Sequence, residues 1–553
     1  MSDSPGSAPV PGWVTALDLV TCALAAVSCA VAITGGVRMT VAGQFISATS
    51  ALRPFLLAAL VTGVRHYGFR RPTLAGRIGS LPFAIVGRVG PHPLFRFLFS
   101  GAICFLFYLS FSTRLPSYGD APHYLITTIS IVNDLDFNEL NQYAQDDGRL
   151  IGMAGLRAQD PAVDGYLAPE HGEGFPLFMA PFYKAGGLPL VRLVLFLVGW
   201  LTTLLVGMNC DLAGYRRATG TWATVLLSLM PTWLIFSSQI YPEVMAGFLL
   251  TLSMFFLLRA ARDHAFHLEL AAGLTLAYVP FLYQRYIVLA APLFVVSLLL
   301  PSIRRSVWYW LGVLTVAVFA ATIWHEVHGS FFASGVGTAT SSHFKLAGSQ
   351  LRVWYGWFER YHGLVVLQPV TLLVFWLAPQ LLAPTLRRER TFLRLAVVLP
   401  LAAYCAIYGL WILGPGGSLT GRYLCAGLPL MCSIVAIGIT EFRDGIGKRL
   451  LVAGAAALAA VSAYFVIVSL RTAALIYDAP GDGWFKLFPI EWGRPPHMRA
   501  HEGLLPVHLN WPTIGVVMFA ITVESAIQMG YRWRREAAAG PPAPKLREGP
   551  PIT

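Results

Sequence analysis

Residues 242–262 read PEVMAGFLLTLSMFFLLRAAR, and that stretch decides the class of fold. Pro242 and Glu243 open a helix, an uncharged apolar run follows, and Arg259 and Arg262 close it. Such a run approaches the ~20 residues that carry a helix across a bilayer. Comparable runs recur at roughly 14–34, 51–66, 94–113, 190–209, 220–237, 242–259, 268–283, 286–301, 306–325, 363–383, 395–413, 423–440, 450–470 and 512–530. Hydrophobic residues make up 56% of the 553-residue chain and charged residues 12%, against roughly 25% charged in a soluble domain. The chain therefore reads as an all-α polytopic membrane protein, a bundle of about 12–14 transmembrane helices with helices in its outer loops.

Charge fixes the expected orientation. With the N-terminus in the cytoplasm, every even-numbered span ends there. Each is followed by a basic cluster: Arg65/Arg70/Arg71/Arg77, Arg216/Arg217, Arg259/Arg262, Arg304/Arg305, Arg387/Arg388/Arg390/Arg394, Arg443/Lys448/Arg449 and Arg532/Arg534/Arg535. Lysine and arginine gather on the cytoplasmic side of membrane proteins. The net charge of +12 is thus spread over short inter-span loops and marks topology, not a nucleic-acid-binding face. This places both termini on the cytoplasmic side of the membrane. Loops 114–189, 326–362 and 471–511 then lie outside, with a short Gly-rich segment at 414–422.

Residues 1–13 and 531–553, rich in Pro with Ser and Gly or with charge, are expected to be disordered on either side of a membrane domain at 14–530. The first apolar helix has no cleavage signature and reads as retained. Val37 to Ser47 alternates and predicts a small outer hairpin. All seven cysteines fall within or at the ends of apolar segments and read as small buried hydrophobes.

The chemistry is expected in the first outer loop. Ten of the twenty-eight acidic residues fall between Asp120 and Glu173. Ala121 to Val132 predicts a helix at the membrane surface, with Tyr124, Leu125, Ile129 and Val132 on its apolar face. Asp120 stands at its N-cap and Pro122 in its first turn, so helix capping is one complete reading of Asp120. Asp134-Leu135-Asp136 has the form of a metal-holding D-x-D, although a solvated turn fits this position better. Residues 168–183, APEHGEGFPLFMAPFY, predict a second surface helix that returns the chain to the bilayer.

Taken together, GDAPHYL at 119–125, HGEGFPLFMAPFY at 171–183 and the many spans resemble the GT-C glycosyltransferases. More narrowly they resemble the bacterial relatives of protein O-mannosyltransferases and aminoarabinose transferases. QIYPE at 239–243, PFLYQRY at 280–286 and GGSLTGRY at 416–423 are similar to that group as well. The resemblance covers roughly residues 90–440 and rests on the order of loose motifs. It implies a GT-C-like helical bundle and an inverting transfer of sugar from a polyprenyl-phosphate donor to an acceptor hydroxyl at the extracytoplasmic face. It also implies that Asp120 is the catalytic base. Relatives often carry an Asp-Glu pair here; Ala121 replaces the second acid.

The residue types suit that chemistry. A phosphate leaves the anomeric carbon readily, so the main need is a base for the acceptor proton, which an aspartate supplies late in the transition state. Arg285 and Arg422 lie at outer ends of spans and are the candidates to hold the donor phosphate, since their planar forks match it. Snorkelling, or pairing with Glu243, is the competing account of both. His123, Tyr124, His171 and Glu243 are candidates to position the acceptor or the sugar. Glu243 equally suits the first turn of a helix on electrostatic grounds alone. No cofactor is required; the acidic pairs leave a divalent cation open without giving a specific ligand set. The acceptor, whether lipid, glycan or protein, is not legible.

Two other classes compete. A transporter or flippase of lipid-linked sugars needs ionisable residues deep within spans, where Asp18 is the one early acidic candidate. An O-antigen-type ligase would use Arg494, His497, Arg499 and His501 in the last large loop. Trp354 and Trp357 read as interfacial belt residues. Trp484, Phe485, Phe488 and Trp492 could cap the cavity.

Overall fold

The computed structural model describes residues 37–41, 44–48, 52–68, 93–111, most of 120–331, residue 357, most of 364–410, most of 422–471 and a few positions between Trp13 and Leu24. Their regular elements are helices apart from one antiparallel strand pair, β1 (Val37–Val41) and β2 (Gln44–Ala48), and an isolated bridge. The principal helices are α1 (Leu52–Gly68), α2 (Pro93–Phe111), α3 (Ala121–Asn133), α4 (Gly174–Leu212), α5 (Arg217–Ser228), α6 (Pro231–Phe236) and α7 (Pro242–Asp263). They continue with α8 (Phe266–Leu282), α9 (Ile287–Ser297), α10 (Val307–His328), α11 (Leu373–Leu381), α12 (Arg388–Leu410), α13 (Leu428–Glu441) and α14 (Ile446–Arg471). Shorter helical turns link them.

Among the described residues, five segments are long and apolar enough to cross a membrane: 93–110, 174–212, 242–263, 307–328 and 424–441. Shorter apolar helices accompany them at 266–282, 284–297, 369–381 and 451–467. The chain is an all-α polytopic membrane protein. Leu94, Leu98, Phe105, Leu106 and Leu109 on α2 and Leu311, Leu314, Val318 and Phe319 on α10 are exposed. Apolar surface of that extent is what a helix facing hydrocarbon requires.

Two expected spans are interrupted, each for a local reason. The span at 220–237 becomes α5 and α6, because Pro231 lacks an N–H and pushes Met230 into an extended conformation. The span at 363–383 starts in short turns around Pro369 and becomes regular only in α11. The two spans split by Gln284-Arg285 are separated by an extended Tyr283 and a 3-10 turn at Gln284–Tyr286. Helix α4 breaks at Gly186-Gly187, where Gly187 takes φ +63°. Its first part is the expected returning helix, and its second part, opening near Pro189, is the expected span. The hairpin at 37–48 forms as the alternation predicts. The span at 512–530, residues 1–12, the segment 531–553 and loop 471–511 beyond Arg471 lie outside the described residues.

Small residues let the helices meet closely. A Cβ added at Gly273 of α8 would stand 2.2 Å from the Tyr309 carbonyl oxygen of α10, and one at Gly312 would stand 2.5 Å from that of Leu270. Such small-residue crossings bring backbones together where no hydrophobic gain drives association. Polar links add to the packing: Asn209 Nδ2 donates to the Thr251 carbonyl of α7 at 2.9 Å, and Ser253 meets Thr275 of α8 at 3.0 Å.

Charges collect at the two ends of this bundle. At one end Arg96 of α2 pairs with Asp211 of α4 at 2.6 Å and donates to Thr221 and to the Arg217 carbonyl of α5. Arg394 of α12 joins it there, bonded to Tyr215, the Ala383 carbonyl and Glu441 of α13. Helices α4 and α13 run away from the opposite end, which carries Asp120, Glu173, Glu243, Arg285 and Arg422. Two sequence expectations change here. Arg65 is not a loop charge: it is fully buried and donates to Asp18 at 2.7 Å, so the deep acid of the first span is already paired. Trp357 is not an interfacial belt residue: it is buried, with its ring 4.5 Å from that of Phe375. The cysteines behave as expected: Cys104, Cys210, Cys425 and Cys432 are buried, Cys405 is partly buried, and all five are unbridged.

Candidate active site

Asp120 occupies the N-cap position of α3, yet its side chain makes no capping hydrogen bond. Its backbone carbonyl accepts from the His123 and Tyr124 amides, and Pro122 fills the first turn. The carboxylate turns instead to Arg422, whose Nη2 donates to Oδ2 at 2.5 Å across a sequence gap of 302 residues. The Asp120 side chain remains 31% exposed, while that of Arg422 is nearly enclosed.

Behind this pair stands Glu243, which is 0% exposed. Its Oε1 accepts from Arg422 Nε at 3.0 Å and from Arg285 Nη2 at 2.7 Å. The Tyr241-Pro242 start of α7 puts this carboxylate at the bundle end, and the break between α8 and α9 puts Arg285 beside it. Aromatic faces hold both guanidiniums: Arg422 lies 4.2 Å from the Tyr241 ring centroid, and Arg285 lies 4.5 Å from that of Tyr283. Pairing with Glu243 is therefore realised for both arginines. Glu243 touches both and is closed to solvent.

Burial alone would raise the Asp120 carboxyl. Arg422, with Arg285 behind it, outweighs that and holds its pKa at about 2. His171 adds to this only when protonated, and burial pushes its own imidazole down to about 4, so at neutral pH the arginines supply the field. A carboxyl depressed in the folded chain contributes stability in full above its unfolded value of ~3.9, and that contribution is lost as pH falls towards the folded value. Acidification from about pH 5 to about pH 2 should therefore lower the melting temperature of wild type more than that of Asp120→Asn. Equal slopes in detergent would show that Asp120 is not held in this way.

Helix α3 spans the expected residues but is not a one-faced surface helix: Ala121, Pro122 and Tyr124 through Ser130 are all buried. The Tyr124 ring packs 4.8 Å from His171 and 5.3 Å from Phe175. The His171 ring lies 6.1 Å from His123 and 6.4 Å from Tyr283, within the electrostatic reach of Asp120. His171 Nε2 is buried without a hydrogen-bond partner among the described residues. His123 Nδ1 meets the Tyr143 hydroxyl at 2.6 Å, and burial lowers its imidazole against the pull of Asp120. The glycines around His171 are sterically required. A Cβ at Gly172 would stand 2.5 Å from the Leu282 carbonyl oxygen, and one at Gly174 would stand 2.4 Å from that of Phe281. The returning chain is thereby pressed against the segment that carries Tyr283 and Arg285.

Sequence reasoning missed Glu173. This buried carboxylate accepts from His328 Nε2 at 2.6 Å and from Trp324 Nε1 at 3.1 Å, joining the start of α4 to the end of α10. A lone Glu in an acidic loop gives no sign of partners some 150 residues away. The D-x-D pair forms a turn, as expected. Asp134 accepts from Asn141 and Gln142, and Asp136 accepts from Ser130 and the Asn138 amide. Among the described residues, no three His, Cys, Asp or Glu side chains stand where they could hold a metal ion. Trp354, the aromatic cluster at 484–492, the Gly-rich segment 414–421, and Arg494, His497, Arg499 and His501 lie outside the described residues.

No protein-family model matches this chain, and no curated protein does. Solved structures similar to it include ArnT from Cupriavidus metallidurans bound to undecaprenyl phosphate, at 14% identity and a TM-score of 0.45, covering 80% of this chain and 78% of that one. The oligosaccharyltransferase AglB from Archaeoglobus fulgidus, in complex with an inhibitory peptide and a dolichol-phosphate, matches at 13% identity and a TM-score of 0.40, covering 78% of this chain and 63% of that one.

Proposed function

We propose that this protein is a membrane-embedded inverting glycosyltransferase that moves a sugar from a polyprenyl-phosphate donor to an acceptor hydroxyl at the extracytoplasmic face. The observation that carries the reading is the Asp120–Arg422–Glu243–Arg285 cluster at one end of the bundle, with a partly exposed carboxylate in front of two held arginines. The motifs at 119–125, 171–183, 239–243, 280–286 and 416–423, which resemble the GT-C group, supply most of the elements that form it. In this reading residues 14–530 form the membrane domain, loops 114–189, 326–362 and 471–511 face outward, and both termini face the cytoplasm.

Asp120 takes the proton of the acceptor hydroxyl as the new C–O bond forms at the anomeric carbon. The bond from that carbon to the phosphate oxygen breaks, and its electron pair leaves on the phosphate. Arg422 and Arg285 stabilise the charge that gathers there. Donors fixed in place before the reaction reorganise little during it, which makes such stabilisation effective. His171 and His123 border Asp120 on the acceptor side. The competing transporter reading calls for ionisable groups deep in the spans; among the described residues Asp18 is committed to Arg65, and the Asp120 and Glu441 pairs stand at the bundle ends.

The test is transfer by purified, reconstituted protein from membrane-extracted polyprenyl-phosphate sugars, compared with soluble nucleotide sugars. Label should leave the lipid only from the polyprenyl donors. Movement of intact donor between leaflets without label transfer would replace this reading with a flippase.

A further inference from the structure

The charges of the cluster cancel, with Asp120 and Glu243 set against Arg285 and Arg422. A phosphate entering this site must compete with a carboxylate for a guanidinium. The two carboxylates are not equally placed. Glu243 is fully buried and holds both arginines through Oε1, so it is enclosed by protein. Asp120 meets Arg422 at Nη2, from a side chain that is 31% exposed. Asp120 is therefore the more accessible of the two carboxylates, and Arg422 Nη2 is the donor it covers.

We propose that Arg422 is shared in sequence between two anions: it pairs with Asp120 in the empty enzyme, and the phosphate of the lipid donor displaces Asp120 from it. The base is thus released only when the donor is seated. This rests on the glycosyltransferase reading and adds to it an order of events. A carboxylate tied to a guanidinium is a weak base; one released from it regains proton affinity beside the waiting acceptor. Glu243 is the positioning residue, because its bond to Arg422 Nε keeps the guanidinium in place while Nη2 changes partner. The stacking on Tyr241 fixes the plane of the fork in the same way.

The exchange predicts that removing the base tightens phosphate binding. The probe is a bare polyprenyl phosphate, titrated into detergent-solubilised wild type, Asp120→Asn, Arg422→Gln and the double variant. Asp120→Asn should bind the probe tighter than wild type by about tenfold or more, the scale of one hydrogen bond to a charged group. Arg422→Gln should bind it more weakly, and in that background Asp120→Asn should bring no gain. If Arg422→Gln does not fold, Arg422→Lys takes its place, and the gain should shrink because the fork is lost.

Unchanged or weaker binding by Asp120→Asn would overturn the exchange. So would a gain that persists in full without the Arg422 fork, since that gain would come from the lost negative charge alone. Absence of binding to wild type and Asp120→Asn alike would instead remove the lipid-phosphate reading itself.

Discussion

Asp120→Asn is expected to lower the rate of sugar transfer by about 10²–10⁴-fold, the usual worth of a positioned general base. The substitution keeps the shape of the side chain but removes the charge that holds Arg422, and the amide takes up no proton. Helix α3 has no reason to unravel, because Asp120 makes no side-chain cap. Arg422 keeps Glu243 and the face of Tyr241, so the variant should remain folded with only a modest loss in melting temperature. Transfer rates and thermal unfolding measured on one preparation separate catalysis from folding. Transfer within a few-fold of wild type would remove Asp120 from the chemistry and leave it a role in stability.

Glu243→Ala is expected to have the largest effect on folding. Removing one partner from a buried ion cluster costs about 3–5 kcal/mol, because the charges left behind have lost both water and counter-charge. Glu243 bonds both Arg285 and Arg422, so its loss takes a buried counter-charge from two neighbouring guanidiniums at once. Glu243→Gln should cost less, since a side-chain oxygen still accepts from them. The measurement is unfolding of detergent-solubilised protein by denaturant or heat. A Glu243→Ala variant as stable as wild type would mean that the arginines find other partners and that the cluster is not fixed by this carboxylate.

Much of the architecture was legible because its signals are local. An apolar run such as 242–262 needs only its own composition to declare a helix, and α7 occupies Pro242–Asp263 as expected. Pro231 and Gly186-Gly187 were visible as residues, but whether each would end a helix, kink it or pass unnoticed depends on what packs around it. Trp357 shows the limit of composition: an aromatic in a polar stretch reads as interfacial, and only the burial of its ring against Phe375 puts it inside.

The site divides in the same way. Arg285 and Arg422 could be chosen from the sequence because a charge at the outer end of a span is costly without a task, and Asp120 because it opens the acidic outer loop in a motif that resembles the GT-C group. Glu243 could be read as a first-turn acid, a partner of the arginines or a positioning group, and Glu173 went unnoticed, because a carboxylate's partners are not written beside it.

The sequence by itself determined the helices, their membrane character, the placing of charge at their ends and the loop that opens with Asp120. All of these follow from hydrophobicity and charge along short windows of chain. Only the tertiary structure decided that Asp120 serves Arg422 and not its own helix, that Glu243 lies between two arginines, and that His328 reaches Glu173. Those pairings join residues far apart in the chain, and their geometry is set by where close-packed helices bring their ends together.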